Sequence, residues 1–192
     1  MPTLYVVATP IGNLEDITLR AIRTLREAKL IAAEDTRQTR RLLNAYDIKT
    51  PLTSYHEHNK LTKLGYLLDH LQQEDVALVC DSGTPGISDP GYELVAAASR
   101  QGTPVVAIPG PSVITTALAI SGLPVSKFTY VGFLPRRAVE RQRFLKTIAN
   151  EDGTLMVLEA PHRLLASLND MLEVLGDRKL AVSSPPFMSV PL

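Results

Sequence analysis

The 192-residue sequence contains one cysteine and no tryptophan, and its 20 basic side chains balance 20 acidic ones. A single cysteine excludes a disulfide framework, and we expect Cys80, which lies in an apolar run, to be a small buried hydrophobic residue. A formal charge of zero excludes a global basic field, so any contact with RNA requires a local basic patch. Aromatic residues make up only 5%, which argues against a broad surface for base stacking.

The sequence also lacks a secretory signal and any apolar stretch long enough to cross a bilayer. Together with the single cysteine, these absences predict a protein of the reducing cytoplasm that does not engage a membrane. The glycine patterns G-x-G-x-x-G and G-x-x-x-x-G-K-[ST] are absent as well, which weakens a dinucleotide-binding or P-loop interpretation.

Short apolar runs alternate with amphipathic segments along the chain, a pattern typical of an α/β protein with a mainly parallel sheet covered by helices on both faces. We expect an N-terminal α/β domain over residues 1–121 and a linker over residues 122–127. A partial C-terminal α/β domain is expected over residues 128–182. Residues 183–192 have neither helical nor strand periodicity and are expected to form an irregular tail.

The most informative segment is the loop over residues 81–91, DSGTPGISDPG, which directly follows the apolar run at residues 76–80. Glycine lets backbone N–H groups approach a ligand closely, and the prolines fix the path of the loop. Crevices beyond strand ends are where open α/β sheets bind ligands. We therefore interpret the loop as a wall of a small-molecule site, in which Asp81 accepts a hydrogen bond from a hydroxyl or ammonium group. The structural alternative is a rigid turn that caps the next helix at or near Asp89.

Three other segments also follow expected strands, namely residues 9–13, 34–37 and 109–112. Because the carboxyl ends of parallel strands lie at the same edge of a sheet, we expect the four loops to meet there. Ser112 precedes an expected helix, whose first N–H groups suit an acceptor such as a carboxylate. The alternative is that Ser112 only caps that helix.

Six ordered segments resemble the tetrapyrrole methylase fold family of S-adenosylmethionine-dependent enzymes. They are residues 7–18 (VATPIGNLEDIT), 33–37 (AEDTR), 81–91, 108–112 (IPGPS), 132–136 (GFLPR) and 159–163 (EAPHR). Within the family, the chain looks most like the bacterial members that methylate the ribose 2′-oxygen of a cytidine in the decoding centre of 16S rRNA. The resemblance implies a homodimer of two-domain subunits that acts on 16S rRNA or the small ribosomal subunit.

The same resemblance implies that S-adenosylmethionine is held in a cleft between the domains. By that analogy, the cofactor site would comprise Pro10, Ile11, Asp81, Gly83, Thr84, Gly86, Ile87, Ser112, Val113 and, from the second domain, Ala160. The family binds its cofactor without G-x-G-x-x-G, which agrees with the absence of that motif here.

Methyl transfer to a ribose hydroxyl is helped by a general base, or by a cation that stabilises the alkoxide. Among the candidates near the expected edge, which also include Asp16 and His56, we favour the pair Glu34 and Asp35. The alternative, in which these carboxylates only pair with nearby arginines, stays open.

Two groups of arginines are candidates for an RNA-binding patch, because guanidinium forks suit phosphates. The first group is Arg37, Arg40 and Arg41, and the second is Arg136, Arg137, Arg141 and Arg143. Solvated helix faces are the alternative interpretation of each group. No metal site is predicted, since His56 and His58 lack a third ligand at convincing spacing.

After residue 182 the sequence departs from the family pattern and ends in SSPPFMSVPL. We expect the second sheet to lack strands as a result and to expose an edge. Two alternatives to RNA methylation stay open. One is a methyltransferase acting on a small corrinoid or porphyrin precursor, and the other is a cofactor-binding or RNA-binding module without activity.

Overall fold

The computed structural model describes residues 1–185 and 188–191. The chain divides into two compact units, Met1–Val113 and Ile114–Leu192. This division assigns residues 114–121 to the second unit, whereas the sequence pattern had placed the end of the first domain at residue 121. The segment 122–127 consequently lies inside the second unit and not between the two.

The first unit alternates strands and helices, as the sequence pattern predicts. Its elements are β1 (Leu4–Val7), α1 (Leu19–Glu27), β2 (Leu30–Ala33), α2 (Thr36–Ala45), β3 (Leu52–Ser54), α3 (Lys60–His70), β4 (Val76–Val79), α4 (Tyr92–Arg100) and β5 (Val105–Ile108). The strands form one parallel sheet in the order β3-β2-β4-β1-β5. Thr18 caps α1 by accepting a hydrogen bond from the N–H of Ala21 at 3.0 Å.

Helices cover both faces of this sheet. Alternate strand residues point to opposite sides, so the strands contribute side chains to a core on each face. Val7 and Val79 belong to a core that includes Leu25 of α1 and Leu43 of α2. Leu78 belongs to a second core, with side chains from α3 and α4. Helices α1 and α2 therefore lie on one face of the sheet, and α3 and α4 lie on the other. Since β4 lies between β2 and β1 but leads to the opposite face, a crevice is expected at its carboxyl end.

The second unit is built on smaller sheets. Its elements are α5 (Val113–Ile120, whose first residue ends the first unit), β6 (Phe128–Phe133), α6 (Ala138–Thr147), β7 (Thr154–Leu158), α7 (Leu164–Leu175), β8 (Ala181–Ser184) and β9 (Met188–Pro191). Strands β6 and β7 pair in parallel, with a register shift between Tyr130 and Gly132. The α/β class is confirmed.

The prediction of an irregular tail is wrong for residues 183–184 and 188–191. Strands β8 and β9 form an antiparallel pair, in which Ala181 lies opposite Pro191 and Ser184 lies opposite Met188. Such pairing uses backbone groups, so a search for alternating side chains does not detect it. Residues 186, 187 and 192 of the predicted tail lie outside the described residues. No helix in the described part of the chain is long and apolar enough to cross a membrane.

Candidate functional site

Thr9 joins the loop after β1 to the loop after β4. Its N–H donates to the carbonyl of Gly83 at 2.9 Å, and the N–H of Gly83 donates back to the carbonyl of Thr9 at 3.0 Å. The Thr9 hydroxyl, which is buried, donates to the carbonyl of Cys80 at 3.1 Å. These three bonds fix both loops against each other at the carboxyl edge of the sheet.

The loop after β2 reaches the same place through two further hydrogen bonds. The N–H of Asp35 donates to a carboxylate oxygen of Asp81 at 3.0 Å, and the N–H of Asp81 donates to a carboxylate oxygen of Glu34 at 3.3 Å. In the loop after β5, a Cβ added to Gly110 would lie 3.1 Å from the Cβ of Ala8. The four loops predicted to share one edge therefore do so.

Two glycines close the loop over residues 81–91 on itself. Gly86 has a φ of +82°, and a Cβ at Gly91 would lie 2.9 Å from the backbone nitrogen of Gly86. The loop is held by backbone packed on backbone, which only glycine at position 91 permits. Asp89 itself does not cap α4, because Gly91 is the residue that precedes the helix and no side chain among the described residues caps it. The alternative of a rigid turn that leads into α4 stays open.

The pKa values of neighbouring carboxylates at this edge are shifted in opposite directions. Burial, aided by the neighbouring acids Asp89, Asp81 and Asp35, raises the pKa of Glu34 above its ordinary value. Partial burial likewise raises the pKa of Asp81, although its side chain reaches solvent. Hydrogen bonds from Arg37 lower the pKa of Asp35 to about 2.

Asp35 has structural duties that account for its low pKa. It caps α2 by accepting a hydrogen bond from the N–H of Arg37 at 2.8 Å, and its other oxygen pairs with the Arg37 guanidinium at 2.8 Å. The pairing alternative is thus seen for Asp35, whereas Glu34 accepts from a loop N–H. Glu34 is therefore the stronger base of the predicted catalytic pair.

An open pocket of about 330 Å³ lies beside Glu34. It is lined by residues from the ends of β2 and β3 and the segments that follow them: Glu34, Asp35, Thr36, Arg37, Ser54, His56 and His58. The rings of His56 and His58 lie edge-to-face, with centroids 6.0 Å apart. Within the described residues, no group of three or more His, Cys, Asp or Glu side chains is arranged to hold a metal ion.

The remaining predicted cofactor residues of the first unit lie along the same edge. Ile11 is buried, and its Cγ2 would lie 3.6 Å from a Cβ added to Gly83. Pro10 and Thr84 are half-buried, whereas Ile87 is 47% exposed. Ser112 and Val113 are half-buried where α5 begins. Their roles toward a cofactor stay predictions.

Ala160, the predicted cofactor residue of the second unit, follows a buried carboxylate. Glu159 accepts the N–H of Ala160 at 2.8 Å, the hydroxyl of Ser167 at 2.5 Å and the Arg163 guanidinium at 2.5 Å. Burial opposes ionisation of Glu159, but these three partners outweigh it and lower its pKa. The backbone at Ala160 is thus fixed by Glu159 and Arg163 of the segment EAPHR and by Ser167, which the sequence pattern had not singled out.

The second arginine group divides in two. Arg136, Arg137 and Arg143 are exposed, as a phosphate-binding role requires. Arg141 is only 4% exposed, and its Nε donates to Asp170 at 2.6 Å, so its inclusion in the patch is wrong. The Nη1 of Arg141 donates to the carbonyl of Arg136 at 3.2 Å and thereby fixes the loop that carries the exposed arginines.

In the first group, Arg40 and Arg41 are exposed on α2, while Arg37 is exposed but paired with Asp35.

Sequence reasoning missed Thr9, whose function is to join two loops. No local signal marks it, because its partners lie about seventy residues away.

A parallel sheet with helices on both faces and an open pocket at its carboxyl edge defines a doubly wound α/β domain, here followed by a second α/β unit. The family model of Tetrapyrrole (Corrin/Porphyrin) Methylases matches residues 3–184, and the chain belongs to this family. The resemblance carried by the six sequence segments is thereby confirmed.

Proteins named ribosomal RNA small subunit methyltransferase I are similar to this chain. The one from Halalkalibacterium halodurans is 55% identical over 94% of this chain and 63% of its own length. Those from Thermotoga maritima and Pseudomonas aeruginosa are 50% and 51% identical, with 82% and 64% of their own lengths covered. The chain thus spans less than two thirds of the first and third of these relatives.

Among solved structures, uroporphyrin-III-C-methyltransferase from Thermus thermophilus matches 100% of this chain and 84% of its own, with a TM-score of 0.64. Its sequence identity to this chain is 22%, so this similarity concerns the fold alone.

Proposed function

We propose that this chain carries out S-adenosylmethionine-dependent methylation of a ribose 2′-oxygen, on a cytidine in the decoding centre of 16S rRNA. The observation that carries the proposal is the meeting of four loops at one sheet edge, where Glu34 lines an open pocket and the Asp81 carboxylate accepts the N–H of Asp35. Similarity to ribosomal RNA methyltransferases over almost the whole chain supports an RNA substrate.

The residues at the edge fit a sulfonium nucleoside. Loop 81–91 offers a backbone that ligands can approach closely, because Gly83 and Gly86 carry no side chain. Carboxylates such as Asp81 suit ribose hydroxyls, an ammonium group or a sulfonium charge. We propose that the cofactor is held by Pro10, Ile11, Asp81, Gly83, Thr84, Gly86, Ile87, Ser112, Val113 and Ala160.

When bound, S-adenosylmethionine supplies an electrophilic methyl group and departs as a neutral thioether. The task of the protein is to align the acceptor oxygen and to take up its proton. We assign the proton to a carboxylate oxygen of Glu34, whose raised pKa makes it a better base than Asp35. Asp35 instead fixes the start of α2 and the orientation of Arg37.

Exposed arginines would hold the RNA backbone. We propose Arg37, Arg40 and Arg41 on the first unit and Arg136 and Arg137 on the second, since each is exposed and guanidinium groups suit phosphates. A homodimer acting in the cytoplasm on the small ribosomal subunit is part of the same proposal.

Two measurements test this function. Calorimetry with S-adenosylmethionine should give a saturable heat that Asp81→Ala weakens, with the distant carboxylate variant Asp69→Ala as the matched control. Methyl incorporation into small ribosomal subunits should map to a cytidine ribose, and Glu34→Gln should lower its rate by about a hundredfold or more. No heat with the wild-type protein, or methyl groups found only on bases, would overturn the proposal.

A further inference from the structure

We propose that the open pocket beside Glu34 binds a single nucleotide of an RNA strand, with its base against the two histidines and its phosphate at Arg37. The pocket is lined by Glu34, Asp35, Thr36, Arg37, Ser54, His56 and His58 and is called the nucleotide pocket below. The inference rests on the proposed function, because it places the target nucleotide beside the proposed proton acceptor. A volume of about 330 Å³ is in the range of sites that hold ligands of nucleoside size.

One wall of the nucleotide pocket is held in place by Asn59. Its amide nitrogen donates to the hydroxyl of Ser54 at 3.0 Å, and its amide oxygen accepts the backbone N–H of His56 at 2.8 Å. The carbonyl of His56 accepts the N–H groups of both Asn59 and Lys60 at 2.9 Å. Two lining residues are therefore fixed before any ligand arrives, which reduces the entropy lost on binding.

The histidines give this wall the chemistry of a base-binding surface. Their rings form an edge-to-face pair. An aromatic ring is able to stack with any of the bases, because every base has a π-face. The Nδ1 atom of His56 is buried and has no hydrogen-bond partner within the described residues. Because that atom has almost no accessible surface, the exposed ring of His58 is the part of this wall that is open to a base.

The lining residues that follow β2 supply charge of both signs. Arg37 is 88% exposed, and its guanidinium keeps donors beyond those used by Asp35, so it suits a phosphate at the mouth of the pocket. Glu34 is half-buried, and one of its carboxylate oxygens accepts the loop N–H of Asp81 at 3.3 Å. Its second carboxylate oxygen suits a ribose hydroxyl.

Proton NMR of the four histidines tests the pocket directly. Titration with cytidine 5′-monophosphate should shift the imidazole resonances of His56 and His58 in a saturable way. The resonances of His70 and His162, which do not line the pocket, should stay in place. Ribose 5-phosphate, which lacks a base, should leave all four unchanged. Equal shifts of all four histidines, or none at His56 and His58, would overturn the inference.

Two variants complete the test. His58 is exposed, so His58→Ala should fold normally and weaken nucleotide binding about tenfold through the lost stacking. His70→Ala, which removes an imidazole from α3, is the matched control and should bind as the wild type does. An unchanged affinity in His58→Ala would count against the pocket.

The same experiments separate this inference from the proposed function. Nucleotide-induced shifts in a protein that transfers no methyl group would leave the pocket intact and refute the proposed function. Methyl transfer with an unchanged KM for RNA in His58→Ala, together with no shifts, would refute the pocket and leave the function standing.

Discussion

Charged side chains are placed differently in the two units. In the first unit, Glu34 and Asp81 lie at the carboxyl edge of the sheet, where each accepts a backbone N–H and Glu34 lines an open pocket. In the second unit, Arg141 is buried against Asp170, and Glu159 is buried against Arg163. The comparison shows that a charged side chain at the carboxyl edge of the sheet stays available to a ligand. A charged side chain in a buried ion pair is already neutralised by its partner within the fold.

The apolar cores differ in the same direction. Strands β2 and β4 of the first unit are buried at every residue, while β6 and β7 of the second unit are mostly half-exposed. Among the described residues of the second unit, the buried apolar side chains are Leu118, Leu134, Leu145 and Met156. With a smaller apolar core, the second unit should depend more on its buried ion pairs for a defined structure.

The largest effect is expected from Arg141→Ala. The substitution leaves Asp170, which is 8% exposed, without its guanidinium partner and also frees the loop carbonyl of Arg136. Removing one partner of a buried pair costs about 3–5 kcal/mol, so the free energy of unfolding should fall by that amount. Urea denaturation followed by circular dichroism measures the change.

Arg143→Ala is the control for this prediction, because Arg143 lies exposed on the same helix. Its effect should stay within about 0.5 kcal/mol. The double variant Arg141→Met and Asp170→Leu should recover most of the lost stability, since neither charge is left buried. A loss below about 1 kcal/mol in Arg141→Ala would mean that the second unit does not depend on this pair.

A smaller effect is expected from Gly91→Ala in the first unit. The added Cβ would lie 2.9 Å from the backbone nitrogen of Gly86, and neither backbone segment is able to yield easily. Forcing such a contact costs about 1–3 kcal/mol and should also weaken S-adenosylmethionine binding, which calorimetry measures.

Gly65→Ala is the matched control for the steric argument. Gly65 lies inside α3, and a Cβ there would meet no atom within 4 Å. This substitution should raise the free energy of unfolding by about 0.8–1 kcal/mol, because alanine favours helix more than glycine does. Equal destabilisation by both variants would show that the close approach of Gly91 to Gly86 has no particular importance.

The helices and strands of the first unit and the meeting of its loops were predictable, because local periodicity and the rules of parallel sheets determine them, whereas the antiparallel pair β8–β9 was not predicted. The separate roles of Glu34 and Asp35 were not. They depend on which backbone N–H each carboxylate accepts after folding, from Asp81 in one case and from Arg37 in the other. Likewise, nothing near Arg141 in the sequence predicts its burial, since its partner Asp170 lies on another helix.

The smallest expected effect concerns the pH dependence of those two adjacent carboxylates. The pKa of Asp35 is lowered from 3.8 to about 2, so its ionised form stabilises the fold above pH 3.8, and this contribution is lost as pH falls through about 2. The pKa of Glu34 is raised above 4.5, so its protonated form is favoured in the folded state. That stabilisation is fully present below pH 4.5 and is lost as pH rises through the folded-state pKa.

Two isosteric variants should therefore shift stability in opposite directions at pH 7. Glu34→Gln resembles the protonated form and should raise the free energy of unfolding by less than about 1 kcal/mol, with the gain vanishing below pH 4.5. Asp35→Asn retains a side chain that caps helices, so it isolates the lost charge and should lower stability at pH 7. Urea denaturation at pH 7 and pH 4 measures both changes. If both variants lowered stability at pH 7, Glu34 would be a structural partner like Asp35. A carboxylate that is buried without sufficient partners destabilises the free protein, so its removal should not lower stability.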